Sequence, residues 1–142
     1  MKSLATPLLV IAATALVMSA PLLSGCGNEA GATASTEHTI DIRYSQFETE
    51  SITVPVGEAV TITLRNDDPI DHEWMVGDAA MHERHRTGTE PFHHEIPTEV
   101  TIPALETRVT TLTFADPGEY LYICHLPGHE AYGMVGTLRV IS

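Results

Sequence analysis

At 142 residues the chain is long enough for one domain with a single hydrophobic core. Its 19 Asp and Glu against seven Lys and Arg give a formal net charge of −12 at pH 7. So acidic a surface argues against nucleic acid and against anionic lipid as charge-driven partners; it suits a basic protein partner, or plain solubility.

The N-terminus reads as a targeting segment. Lys2 supplies a short positive start, and residues 4–18 form an apolar stretch broken by Pro7, too short to span a bilayer. Leu23-Ser24-Gly25-Cys26 resembles the lipobox of bacterial lipoproteins, which implies cleavage before Cys26 and acylation of its sulfur and new amino group. The alternative is an ordinary cleavage site beside an unmodified Cys26. The expected layout is a signal peptide over 1–25, lipidation at Cys26, a small and polar tether over 26–37, and a folded domain over 38–142. Such a protein is exported and held by its lipid on a bacterial membrane, at the periplasmic or extracellular face. With Cys26 acylated, Cys124 is the one thiol left, a liability in an oxidising compartment unless a metal occupies it.

From His38 onward the texture is β. Ile40, Ile42 and Tyr44 alternate with polar residues, as do Val60, Ile62 and Leu64. Residues 51–56 form a further strand candidate, with Pro55 placing it at a sheet edge or a bulge. Turns are expected at Gly57-Glu58, Asn66-Asp67-Asp68-Pro69 and Asp116-Pro117-Gly118. Residues 77–95 carry no strand pattern. Asp78 there can cap a short helix running to about Arg86, which Thr87-Gly88-Thr89-Glu90-Pro91 breaks. Strands over 107–114, 119–124 and 134–141 complete seven or eight. Their spacing predicts an all-β, Greek-key antiparallel sandwich with a helical or loop excursion around 77–95.

The most informative stretch is Cys124-His-Leu-Pro-Gly-His129-Glu-Ala-Tyr-Gly-Met134, between two of these strands. It sets a thiol, an imidazole and a thioether in one loop, spaced Cys-x4-His-x4-Met. A soft thiolate, a borderline imidazole and a weak thioether suit a mononuclear copper centre, and His72 is a candidate for a second imidazole.

Together with Ile52-Thr-Val-Pro-Val-Gly57-Glu, Asn66 to His72, and Pro117-Gly118-Glu-Tyr120-Leu-Tyr122-Ile-Cys124, this loop resembles the cupredoxins, the small blue (type 1) copper proteins. The likeness runs from about Thr39 to Ile141. It implies one type 1 copper ion held by His72, Cys124, His129 and Met134, with Met134 as the weak axial ligand. The Cys-to-Met spacing is closer to rusticyanin-like and auracyanin-like loops, and to the type 1 site of multicopper oxidases, than to plastocyanin-like ones. Glu73 stands where many cupredoxins carry Asn or Ser, which leaves the surroundings of the thiolate open. His125 beside Cys124 is expected to face outward, because the paired His-x-His motifs of a trinuclear cluster are absent. Trp74 is expected in the core, as is at least one of Tyr120 and Tyr122.

The excursion holds Met81, His82 and His85 at helical spacing, with His93 and His94 soon after, a possible second and looser metal site. Asp67, Asp68, Asp71 and Glu73 are candidates for a docking surface around the copper. No nucleophile, base and oxyanion set is visible, so an enzyme is not expected. The expected function is single-electron transfer by a monomer between membrane-associated redox partners. The alternative is an exported protein for copper delivery, buffering or resistance that uses the 77–95 segment.

Overall fold

A computed structural model of the chain describes residues 34–89, 91 and 95–142. The expected signal peptide, Cys26, residues 27–33 of the tether, His93 and His94 lie outside the described residues. Nine strands form in chain order: β1 (Glu37–Arg43), β2 (Gln46–Phe47), β3 (Ser51–Pro55), β4 (Ala59–Asn66), β5 (His72–Gly77), β6 (Glu99–Ile102), β7 (Thr107–Thr113), β8 (Gly118–Ile123) and β9 (Val135–Ile141). One helix, α1 (Ala79–Thr87), follows β5, and a 3-10 turn over Glu130–Tyr132 precedes β9. No helix among the described residues is long and apolar enough to cross a membrane.

The strands make two sheets, ordered β2-β1-β4-β7 and β3-β9-β8-β5-β6. The sandwich is the expected one, but its sheets are mixed instead of wholly antiparallel. β1 runs parallel to β4, with Ile40 opposite Leu64, and β3 runs parallel to β9, with Ile52 opposite Leu138. The chain leaves the first sheet after β2, contributes β3 to the second and returns as β4, so β1 and β4 are not joined by a hairpin. Period-two alternation marks a strand in either pairing and does not reveal this. Pro55 ends the edge strand β3, where a missing N–H costs nothing.

Alternation fills the space between the sheets. Ile40, Ile42, Val60, Ile62 and Leu64 from the first sheet belong to one cluster with Ile52, Val54, Trp74, Val76, Tyr122, Leu138 and Val140 from the second. Burying each aliphatic side chain is worth about 1.5–3 kcal/mol. Tyr44 departs from its expected place. It lies past the end of β1 at φ 53°, beside Ser45 at φ 55°, and is exposed. The two residues form the turn between β1 and β2, so the apolar alternation stops at Ile42. β6 was not anticipated: four residues between Pro97 and Pro103 give too short an alternation to read.

α1 begins and ends as its sequence suggests. The Asp78 carboxylate accepts the Met81 N–H at 2.7 Å, and Gly88 closes the helix at φ 65°, where a residue without Cβ is favoured. Its one buried residue is a histidine, His82.

The packing around Tyr122 leaves no slack. Phe47 meets its ring edge-on at 5.2 Å between centroids, and its hydroxyl donates to the Thr49 carbonyl. A Cβ at Gly136, the neighbouring position on β9, would lie 2.1 Å from the same ring. Gly136→Ala should therefore lower the stability of the domain by about 1–3 kcal/mol, read from the urea midpoint. An unchanged midpoint would mean that this contact yields freely.

Candidate metal centre

The site sits where β5 begins and β8 ends, at one end of the sandwich. His72 is fully buried at the first position of β5. The turn before it is built by polar residues that continue the core stripe. Asn66 follows Leu64 in strand parity and is buried; its amide donates to the carbonyls of Ile70 (2.8 Å), Ile102 (3.1 Å) and Pro103 (3.0 Å). Its oxygen accepts the Asp68 N–H at 2.9 Å.

That turn aims the Asp68 carboxylate inward. It accepts the N–H groups of Tyr44 and Ser45, both at 2.8 Å, and the Nε2–H of His72 at 3.0 Å. Burial works to raise the Asp68 carboxyl, but the Ser45 and Tyr44 amides and His72 outweigh it and hold the group below the ordinary carboxylate range. A carboxylate can only accept, so the proton of neutral His72 is on Nε2 and its Nδ1 is a bare lone pair. Burial lowers the His72 pKa, with Asp68 opposing, which keeps that lone pair free. Asp68 is thus a buried support of the site and is lost to any docking surface. Glu73 is also half-buried, so of the four acidic candidates Asp67 and Asp71 are the ones left exposed.

The other donors come from the loop between β8 and β9. Cys124 is fully buried. Burial pushes its thiol up, while the backbone N–H of Glu73, 3.3 Å from Sγ, favours the thiolate. Pro127 and Gly128 (φ 89°) turn the chain, and Gly133 (φ 91°) turns it again after the 3-10 segment. The loop is pinned across its base: Cys124 N–H donates to the Met134 carbonyl at 3.2 Å, and Met134 N–H to the His129 carbonyl at 3.1 Å. Met134 is fully buried in this frame.

Three donors converge as a result. His129 Nδ1 lies 3.2 Å from His72 Nδ1 and 3.2 Å from Cys124 Sγ, and all three atoms fall within 4.8 Å of one another. No other group of three His, Cys, Asp or Glu side chains does so among the described residues. Two imidazole nitrogens and a thiol sulfur facing one another, with the far nitrogen of one ring tied to a carboxylate, fit a single copper ion.

Three further histidines, His82, His85 and His125, gather beside this centre, differently from expectation. His125 does not face outward: its side chain is 6% exposed, and its Nε2 lies 2.9 Å from Nδ1 of buried His82. His85 stacks on His125 with ring centroids 5.2 Å apart. Met81 covers Gly77, where an added Cβ would strike its side chain. With no cluster motif to draw it inward, His125 read as a solvent-facing loop residue; the helix that covers it could not be placed from sequence. Trp74 and Tyr122 are in the core as expected, and Tyr120 is packed against it.

A mixed β-sandwich that brings one Cys and two His together at one end is the frame of a small mononuclear copper protein. The chain belongs to the plastocyanin/azurin family of copper-binding proteins, which residues 34–141 match. Among curated relatives it is 28% identical to the "Copper-resistant cuproprotein CopI" of Pseudomonas aeruginosa, over 66% of this chain and 70% of that protein. It is equally identical to the protein of the same name from Rubrivivax gelatinosus, over 78% of this chain and 70% of that one. Among solved structures, a dithionite-reduced auracyanin from Roseiflexus castenholzii superposes with a TM-score of 0.67 at 22% identity, covering 78% of this chain and all of that one. Auracyanin A of Chloroflexus aurantiacus, described as a "blue" copper protein, gives a TM-score of 0.55 at 26% identity, over 74% of this chain and 99% of that one.

The buried imidazoles make the metal-free protein sensitive to acid. Burial, with His82 adding to it, holds His125 down to about 4, and burial also lowers His82. In the unfolded chain both return to about 6.5. The unfolded state then binds more protons than the native state between about 6.5 and 4, so stability falls as the pH drops through that window. The urea midpoint of the metal-free protein should be lower at pH 5 than at pH 7.5. A midpoint constant across this range would mean that these rings are open to water.

Proposed function

We propose that this protein is a type 1 copper electron carrier, exported and held at a bacterial membrane by a lipid on Cys26. The observation that carries the reading is the convergence of His72 Nδ1, Cys124 Sγ and His129 Nδ1 on one point, within a buried frame. Copper bound there supplies a one-electron couple. The protein's own part is to hold the donors still. Asp68 fixes the tautomer and tilt of His72, the Glu73 N–H supports the Cys124 sulfur, and the Cys124–Met134 and Met134–His129 backbone bonds keep the loop closed. A site that changes little between oxidation states needs little reorganisation, which favours electron transfer. Met134, buried in the same frame, would complete the ligand set, and a thioether there would favour the reduced ion and a relatively high potential. The reading includes no reaction on a substrate. Partners are redox proteins, met by a monomer.

A second reading, copper tolerance, is favoured by the copper-resistance name that the curated relatives share. The two readings part in the cell. If the protein carries electrons, a deletion strain should show slowed electron flow in ordinary medium, restored by the wild-type gene and not by Cys124→Ser. A strain that grows and respires normally until copper is raised would instead support the tolerance reading. In the purified protein, Met134→Gln should lower the midpoint potential and keep the couple reversible; an unchanged potential would remove Met134 from the ligand set.

A further inference from the structure

Beside the Cys124 centre lies a polar network in which two acceptors face each other. His82 Nε2 is 3.1 Å from the Leu121 carbonyl, which can only accept, so this nitrogen carries the ring proton. Nδ1 of neutral His82 is then bare and accepts the Nε2–H of His125 at 2.9 Å. That leaves His125 Nδ1 bare, and the atom facing it at 3.5 Å is Oε2 of Glu130, another acceptor. Arg86 does not mend the mismatch. Its Nε donates to both Glu130 oxygens at 3.0 Å and neutralises the carboxylate without giving His125 a proton. Stacked on His125 is a third imidazole, His85, whose Nδ1 is buried with no hydrogen-bond partner.

We propose that His125, Glu130 and His85 form a second metal site, for a divalent first-row cation with copper(II) held most tightly. An ion about 2.1 Å from two donors needs them about 3.0 Å apart at the right angle copper(II) prefers and about 3.4 Å apart at a tetrahedral one, so the 3.5 Å between His125 Nδ1 and Glu130 Oε2 has only to close slightly. Neutral imidazoles with a carboxylate suit copper and zinc, and copper(II) leads the affinity order. His85 joins by turning its ring about its side-chain torsions. His82 stands behind the site and fixes the tautomer that points Nδ1 of His125 at the ion. An open cleft of about 440 Å³, lined by Glu73, His85, Arg86, His125 and Glu130, gives the ion a way in. Arg86 pairs with both Glu83 and Glu130, and Glu73 lines the same cleft, so its carboxylates outnumber that guanidinium and the local charge favours a cation. The set differs from the one the sequence suggests, because Met81 is taken up by Gly77 and His125 enters in its place.

The test is a titration of the full-length protein, already loaded with one equivalent of copper, with a second equivalent of Cu(II), followed by EPR. The expected result is a second, stoichiometric signal with wide copper hyperfine splitting and nitrogen structure. Its affinity should fall at least about tenfold in His85→Gln and in Glu130→Gln, and hold in a His93→Ala/His94→Ala double variant. Both single variants leave His72, Cys124, His129 and Met134 in place, so the first signal reports that the protein is folded. A second signal that is absent, or that vanishes in the His93/His94 variant and survives both others, overturns the site. Either result leaves the type 1 reading standing, because the first equivalent reports on it separately.

Discussion

The Asp68 carboxylate is the constraint on which the centre depends. It is buried, accepts two backbone N–H groups of the β1–β2 turn, and accepts the Nε2–H of His72. Without it the His72 ring has no fixed tautomer, and its Nδ1 is not committed to face His129 and Cys124. The two amides it satisfies belong to Tyr44 and Ser45, which both sit at positive φ. A strained turn in the first sheet and a ligand of the second are thus tied to one side chain. Removing the carboxylate leaves the buried Nε2–H of His72 unpaired, at a cost of about 1–3 kcal/mol, and frees the part-buried Tyr44 and Ser45 amides as well.

Around that anchor the fold separates rigidity from access. β5, β8 and β9 are hydrogen-bonded neighbours and carry His72, the approach to Cys124 and the exit from Met134. The loop between β8 and β9 supplies the rest. It crosses the end of the sandwich with two glycines at positive φ and closes on itself through backbone bonds at its base. The core beneath it, Trp74 and Tyr122 above all, gives these strands no room to shift. Beside the loop, α1 buries no hydrophobic stripe; apart from Met81 over Gly77 it is fastened by histidines and by the Arg86–Glu130 pair.

Much of this was legible in the sequence because it follows from short-range rules. The Cys-x4-His-x4-Met spacing between two strand patterns gave the loop, period-two alternation gave most strands, and Asp78 and Gly88 marked the ends of α1. What escaped depended on partners distant in the chain. Parallel pairing of β1 with β4 leaves no trace in alternation. Asp68 looked like one more surface acid until the turn that Asn66 builds aimed it inward, and the same holds for half-buried Glu73. His125 looked solvent-facing because the helix that buries it lies some forty residues upstream, and that contact is polar, with no hydrophobic stripe to announce it.

The central claim is that His72, Cys124 and His129 form one preorganised copper site. Its most direct test is the visible absorption and EPR spectrum of the protein after one equivalent of Cu(II). The account predicts an intense thiolate-to-copper band and narrow copper hyperfine splitting, both lost in Cys124→Ser. A pale solution with wide splitting, indifferent to Cys124→Ser, would place the copper elsewhere and contradict it.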